Sequence, residues 1–505
     1  MNPALPRKLA RVQCERPALA TCASASATVR ARPAMRRPAL SFRFLLRLPL
    51  PAVAALVLAG CAAPPVPPLP QADLPAAWSV ATAGVPAPDL RNWWKALNDP
   101  GLDALVDEAL RQNLQLARAR SQLRQARLLA GTDDARYLPV LSAGMRPVQD
   151  VSATDSYLHA SLDAVWELGL FGARESRQRI SRAQLDSAEQ TEQAARVSVV
   201  AEVVRRYTEL RAAQRQSALL QDMAVLDERA MALSGVRLRS RLAGPGEETQ
   251  ARLRQARTAA QRTVPQQAVV QAARALAVLT GRPAPAPEWL VAAPQPVLGA
   301  VAPAGVPADL LRVRPDIREA EAGVLKAAGE SGLARAELYP RLSLGVSLLY
   351  AYNVTQNRRG STDRVPGIGP IIDIPLFDWG RRQSQAHAQQ EALDESLLAY
   401  RQAVLDAVSE TEIALSLLEQ QHQRAARLGE AEALLQRRIA ASDTLVRLGL
   451  SSDFERLGEQ REQLQAQLEL ADAQASRVLA FVALYKSLGG APLPPAERPL
   501  AEARP

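Results

Sequence analysis

The chain has 505 residues, 48% of them hydrophobic but only 4% aromatic, and a formal charge of +9 at neutral pH. Much of the apolar content is alanine, a balance that suits long interlocking helices better than a thick globular core. The charge sits at the start: residues 1–60 hold ten Lys/Arg and one acid, leaving 51 basic and 51 acidic residues in the rest, so a nucleic-acid surface is excluded.

The basic start runs into an uncharged apolar stretch, Leu48 to Gly60, that ends in Leu-Ala-Gly before Cys61. A basic region, a short apolar one and small residues before a cysteine read as a secretory signal over 1–60. The apolar stretch is too short to span a bilayer as a mature helix. Met35, followed by Arg36 and Arg37, would make a more ordinary start than Met1. Cys14 and Cys22 fall in the removed segment, which leaves Cys61 alone in the mature chain, with no disulfide and no catalytic thiol. His159, His387 and His422 stand far apart without ligand spacing. No phosphate loop, dinucleotide fingerprint or nucleophile elbow occurs. The reading is therefore of a protein that is not an enzyme, with no catalytic residues, no cofactor and no metal site.

Residues 61–88 are rich in Pro and Ala and read as a tether. A helix follows over about 102–136, ended by Pro139. Val140–Arg146 alternates, and after a turn-rich loop the stretch Tyr157–Phe171 alternates again, with Leu158, Ala160, Leu162, Ala164, Trp166, Leu168 and Leu170 on one face. A very long helix is expected over 173–241, a break at LAGPGEE (242–248), and a further helix to about 280 that Pro265 should kink or restart.

A second pass begins at Pro315, with Asp316 at a helix start and Pro340 closing it. Leu342, Leu344, Val346, Leu348 and Tyr350 share a face, as do Ile368, Ile372, Ile374 and Leu376 beyond a polar loop over 353–366. Another long helix runs over 381–447, breaks at RLGLSS, and resumes to about 488. Gly172 and Gly380, Glu202 and Glu410, and Gly281 and Gly489 are each 208 residues apart. The chain is a tandem duplication, 89–300 and 301–492, followed by a tail over 493–505 taken as disordered. Leu393, Leu397, Tyr400, Val404, Ala407, Thr411, Ala414 and Leu418 are spaced as a sustained heptad seam. A helix over 381–447 would be roughly 100 Å long at about 1.5 Å per residue, the dimension of a tube wall.

The apolar strand faces could cover a small core of helices, or could meet lipid in a barrel closed with other chains. Asp163, Glu167, Ser343, Ser347 and Asp373 on the opposite faces suit a wet lumen, and together with the signal and the long helices they favour lipid.

The segments NWWKALNDPGLDALVDEALRQNLQL, YLPVLS, WELGLFGARES, LRVRPDIREAE, LYPRLSL and DIPLFDWGRR, in this order, resemble the outer-membrane efflux protein family, TolC-like channels, and in particular its lipoprotein subgroup serving drug pumps. The resemblance spans about Asp89 to Pro492. It implies a mainly α fold with a transmembrane β-barrel. Four strands per chain complete a twelve-stranded barrel in a homotrimer, and the duplicated coiled-coil helices continue as a periplasmic α-barrel. It implies lipidation of Cys61, sorting to the outer membrane, contact with outer-membrane lipid, and two partners: a periplasmic adaptor (membrane fusion) protein and an inner-membrane pump. The implied activity is passive conduction of small molecules. The exit duct of a type I protein-secretion system and a lipid-anchored periplasmic coiled-coil scaffold are the alternatives.

The family's inner helix near its closed periplasmic tip is similar to VRLGLSSDFERLGEQR here. The resemblance assigns Arg447 to the first arginine of that pattern, Phe454 to the apolar gate and Arg461 to the last arginine. Val446 replaces an aromatic residue, and Gly458 replaces the expected acid, with Glu459 adjacent. Glu455, Glu459 and Glu462 are the acids closest in sequence to neutralise the arginines.

Overall fold

The structure is a computed structural model that describes residues 64–70, 78, 90–133, 135–149, 155–299, 313–355 and 358–490, without the side chains of 358–365. The signal over 1–60, Cys61 and the tail over 493–505 lie outside the described residues. A helical turn at Trp93–Leu97 leads to α1 (Pro100–Gln112) and α2 (Leu114–Asp133). Asp99 starts α1 by accepting from the Gly101 and Leu102 backbone N–H groups at 2.9 and 3.2 Å, with Pro100 in the first turn, where a missing donor costs nothing.

The single helix expected over 102–136 is divided at Asn113, whose backbone is extended (ψ 124°). The cause is tertiary. The Asn113 side-chain oxygen accepts from Leu116 N–H at 3.0 Å, while its amide donates to the Leu279 carbonyl at 2.9 Å. An asparagine bonding both ways holds the chain out of the helix better than a continued ladder would.

Four strands, β1 (Val140–Gln149), β2 (Ser156–Glu167), β3 (Arg341–Asn353) and β4 (Arg358–Asp373), form one antiparallel sheet in the order β1-β2-β3-β4. β4 begins inside the stretch expected to be a polar loop, pairing Arg358 with Asn353 and Arg359 with Tyr352. Backbone pairing needs no apolar side chain, so composition misplaced the start of this strand. Among the described residues, β1 pairs with β2 alone and β4 with β3 alone, leaving both outer edges bare.

The long helices are α3 (Ala173–Arg239), α4 (Pro245–Leu279), α5 (Pro315–Ala336), α6 (Arg381–Arg447) and α7 (Asp453–Ser487). α3 and α6 have 67 residues each, and α4 and α7 have 35. Each strand-to-helix junction turns through two successive left-handed residues, Phe171–Gly172 and Trp379–Gly380, with φ of 55–79°. Glycine is needed at the second of these, because a Cβ there adds strain to a turn already carrying an aromatic residue at positive φ.

Pro265 neither ends nor restarts α4, which runs through it. Ala251, Thr258, Pro265 and Ala272 are buried at seven-residue intervals, so the proline occupies a seam position against α3. The packing of that seam outweighs the one lost hydrogen bond. In α6, Leu393, Val404, Ala407, Thr411, Ala414 and Leu418 of the heptad seam are buried.

The main core lies at mid-height of the helices. Trp93 stacks on Tyr485 at 5.4 Å, meets Phe481 edge-on at 5.7 Å and donates its indole N–H to the Gly490 carbonyl at 3.1 Å. Leu102, Val106, Val200, Val204, Leu276 and Leu484 complete this layer. Each such buried side chain contributes about 1.5–3 kcal/mol. The start of the first repeat is thereby fastened to the end of the second. The segment 64–70 lies against the helices: Val66 packs on Val324 and Leu393, and the Pro64 carbonyl accepts from Arg179 Nη1 at 3.1 Å.

Candidate functional site

The sheet separates its two faces by the period of two. One carries Leu162, Leu344, Val346, Leu348 and Ile368, all 40–84% exposed, with Leu162 paired to Leu348 and Val346 to Ile368. On the other, Asp163 stands between Ser142 of β1 and Ser347 of β3. Its carboxylate accepts from the hydroxyls of Ser161 (2.7 Å) and Ser347, and its carbonyl from Ser142 Oγ at 3.4 Å. A row of uncovered aliphatic side chains backed by a hydrogen-bonded polar row is what a sheet between lipid and water requires. Aromatic residues gather where the sheet joins the helices. Phe171 stacks on Tyr339 at 4.9 Å, and Phe377 and Trp379, 4.8 Å apart, are 75% and 88% exposed. That is the composition of an interfacial belt.

The far end of the helices is formed by two turns of one design. After α3 the left-handed residue is Arg241, with Leu242 N–H bonding back to the Arg237 carbonyl at 2.8 Å. After α6 it is Gly449, with Leu450 N–H bonding to the Leu445 carbonyl at 2.9 Å. Leu242, Leu448 and Leu450 project from these turns, 67–72% exposed. Ser452 then caps α7 reciprocally with Glu455. The Ser452 backbone N–H, with the Ser451 and Ser452 hydroxyls, holds the Glu455 carboxyl below the usual range for glutamate.

The candidate gate residues separate into three settings. Phe454 and Arg461, one heptad apart on α7, both face α3. Arg237 lies over the Phe454 ring at 5.0 Å while pairing with Glu247 at 2.9 Å. Arg461 Nε donates to Asp227 Oδ1 at 3.0 Å, and Thr258 Oγ1 of α4 donates to Asp227 Oδ2 at 2.6 Å. Asp227 is 1% exposed, so one buried carboxylate joins α3, α4 and α7. Glu459 faces α6 instead, where Arg438 pairs with it and with Glu462, each at 3.2 Å. Arg447 stays on its own exposed surface, donating to the Asp443 carbonyl and to Thr444 Oγ1 at 3.3 and 3.0 Å.

The expectation that Glu455, Glu459 or Glu462 would neutralise the gate arginines is thus corrected for Arg461. Those acids are engaged by the cap and by Arg438, and Asp227, 234 residues away, takes their place. Asp227, Thr258, Arg237 and Arg438 were all missed. For Asp227 a signal existed: Met223, Asp227, Ala230 and Ser234 are spaced 4, 3, 4 and all are buried, which puts a carboxylate in an apolar seam. A Cβ at Gly458 would meet nothing within 4 Å, so no contact among the described residues demands glycine there.

The outer membrane efflux protein family matches residues 105–282 and 306–490. The pyoverdine export outer membrane protein OpmQ of Pseudomonas aeruginosa is 30% identical over 466 residues, covering 86% of this chain and 95% of that protein. The cation efflux system protein CusC of Escherichia coli is 26% identical over 455 residues, covering 87% and 98%. Among solved structures, the outer-membrane channel OprN is 29% identical with a TM-score of 0.74, covering 86% of this chain and all of that one. The open state of the MtrE outer membrane channel of Neisseria gonorrhoeae shares the fold at 24% identity and a TM-score of 0.74, covering 85% and 98%.

Proposed function

The chain belongs to the outer membrane efflux protein family, and from that premise we propose that three copies close their sheets edge to edge into one twelve-stranded barrel. The protein is an outer-membrane efflux channel with a long helical periplasmic extension. The observation that carries the trimer is the pair of bare edges on β1 and β4 in a sheet with one apolar and one polar face. An open edge in lipid would leave backbone groups without partners, each at a cost of several kcal/mol, and closure with other copies removes both edges.

The exposed leucines of the two periplasmic turns, Leu242, Leu448 and Leu450, offer the contact for an adaptor that links the channel to an inner-membrane pump. The conduit is passive, and the tip is held shut by the Asp227–Arg461–Thr258 junction with Phe454 beside it. The relatives' names specify different cargoes, pyoverdine in one and cations in another, so cargo follows the pump rather than the channel fold.

Lipidated Cys61 anchors the chain. Pro64 is bonded to Arg179, in the second turn of α3 below the sheet. The test is conductance of the purified protein in planar bilayers, with oligomer mass measured on the same sample. Trimer mass with unit conductance steps supports the reading; a monomer without conductance overturns it.

A further inference from the structure

The face of α7 turned away from the Trp93 layer carries a feature that conduction alone does not require. Phe481, Leu484 and Tyr485 are buried beneath Trp93, whereas Ala483 and Lys486, about half a turn round the helix, are exposed. Where the C-terminus of α7 abuts the N-terminus of α5, a 510 Å³ niche opens on this exposed side, floored by Val197 of α3, Ile413, Ala414 and Leu417 of α6, and Ala483. A neighbouring niche of 470 Å³, between α3 and the C-terminus of α4, shares Ser198 and Lys486 with it. Lys486 therefore stands on the ridge between two mostly apolar hollows.

The charges around it are settled except for its own. Arg314 is buried and pairs with Asp316 and Glu410 at 2.6 and 2.8 Å while donating to the Ser487 carbonyl. Glu202 is bound by Arg205 and Arg206 at 2.6 and 2.7 Å. Lys486 forms no ion pair or side-chain hydrogen bond among the described residues. The sequence has four lysines, and among the described residues lysine enters an ion pair at Lys326 with Glu330, while arginine supplies pairs such as Arg314–Glu410 and Arg461–Asp227. An unpaired ammonium between apolar hollows is an amphipathic anion site in outline: the amine meets a sulfonate or carboxylate and the hollow takes the apolar body.

We infer that Lys486 and the Val197–Ile413–Leu417 floor bind small amphipathic organic anions on the inner wall of the tube. The inference rests on the channel reading for its inward direction. Twelve helices spaced about 10 Å apart enclose a bore roughly 28 Å wide, which three further helical layers would block, so in a conducting tube the Trp93 layer lies outside and the niche inside. Binding there has to be weak, because a conduit needs sites that its cargo leaves readily. Three such niches at one height concentrate anions with apolar bodies at mid-tube.

The test uses the full-length protein in lipid nanodiscs and a water-soluble amine-acylating reagent, with acylation read lysine by lysine by peptide mass spectrometry. Lys95 and Lys326 are exposed and serve as internal references. Naphthalene-1-sulfonate should slow acylation of Lys486 by the factor 1 + [L]/Kd, roughly tenfold at ten times the Kd, while leaving Lys95 unchanged. Methanesulfonate, which has the charge without the apolar body, should protect several-fold less. The double substitution Ile413→Asn with Leu417→Gln should abolish protection while the protein still conducts. Equal protection by both sulfonates, equal slowing at Lys95, or protection surviving the floor substitutions would each overturn the site. Loss of conductance in the unsubstituted protein would overturn the channel reading instead, so the two failures are distinguishable.

Discussion

Replacing Asp227 by Asn tests the tip junction at its centre. Asparagine keeps the shape and can still accept from Thr258 Oγ1, but it removes the charge that Arg461 meets at 3.0 Å. A hydrogen bond to a charged group contributes about 1.5–3 kcal/mol, and breaking a buried ion pair costs about 3–5 kcal/mol. Arg461 is 29% exposed and regains water when its partner is neutralised, which lowers the figure to about 2 kcal/mol per chain. If opening parts α7 from α3 in three chains together, the closed state loses about 6 kcal/mol, or about four orders of magnitude in the closed-to-open ratio. Single-channel recording without adaptor or pump should show long open dwells where the unsubstituted protein stays shut. Arg461→Gln should give the same phenotype, and the double variant should add little, because both substitutions break one interaction. Should Asp227→Asn lower the melting temperature with open probability unchanged, the junction is a structural tie and the gating argument fails.

The sheet faces, the apolar residue at the tip and the cap of α7 each make their own claim. Arginine at Leu162, in the middle of the apolar row, should cost about 2–4 kcal/mol at the bilayer midplane, whereas arginine at Ser161, on the polar face, should fold normally and shift ion selectivity. Equal effects in barrel-unfolding titrations would refute the assignment of faces. Phe454→Ala removes the ring beneath Arg237 and should raise single-channel conductance in the isolated channel; unchanged conductance would place the constriction elsewhere. The hydrogen bonds that depress the Glu455 carboxyl imply a cap that is fully present above the ordinary glutamate range and lost as pH falls through the lower folded value. Hydrogen exchange in the first turn of α7 should therefore distinguish the protein from its Glu455→Ala variant at pH 6, and the difference should disappear as the pH is lowered through the titration of the carboxyl. A difference persisting in acid would refute the cap argument.

What the sequence determined by itself is what the backbone decides locally. Glycine and proline mark where the long helices begin and break. The period of two shows which residues of β2 and β3 share a face, and the offset of 208 residues shows that α6 and α7 repeat α3 and α4. Phe454 and Arg461 could be singled out because the one continuous stretch VRLGLSSDFERLGEQR resembles the family's helix near the periplasmic tip. The spacing of α3 marks Asp227 as a carboxylate in an apolar seam, but its pairing was beyond reach, since Asp227 and Arg237 belong to the other repeat and nothing local relates a carboxylate to an arginine 234 residues away. Contacts between distant segments likewise decided that Asn113 divides the first helix, because the Leu279 carbonyl waits for its amide. They decided that Pro265 is kept inside α4, because the seam against α3 holds it. They also decided that β4 runs into a polar stretch, because β3 offers it a ladder. In each case the residue's own preference is worth about 1–3 kcal/mol, and the neighbouring segment supplies an interaction of the same size that only the folded chain brings within reach.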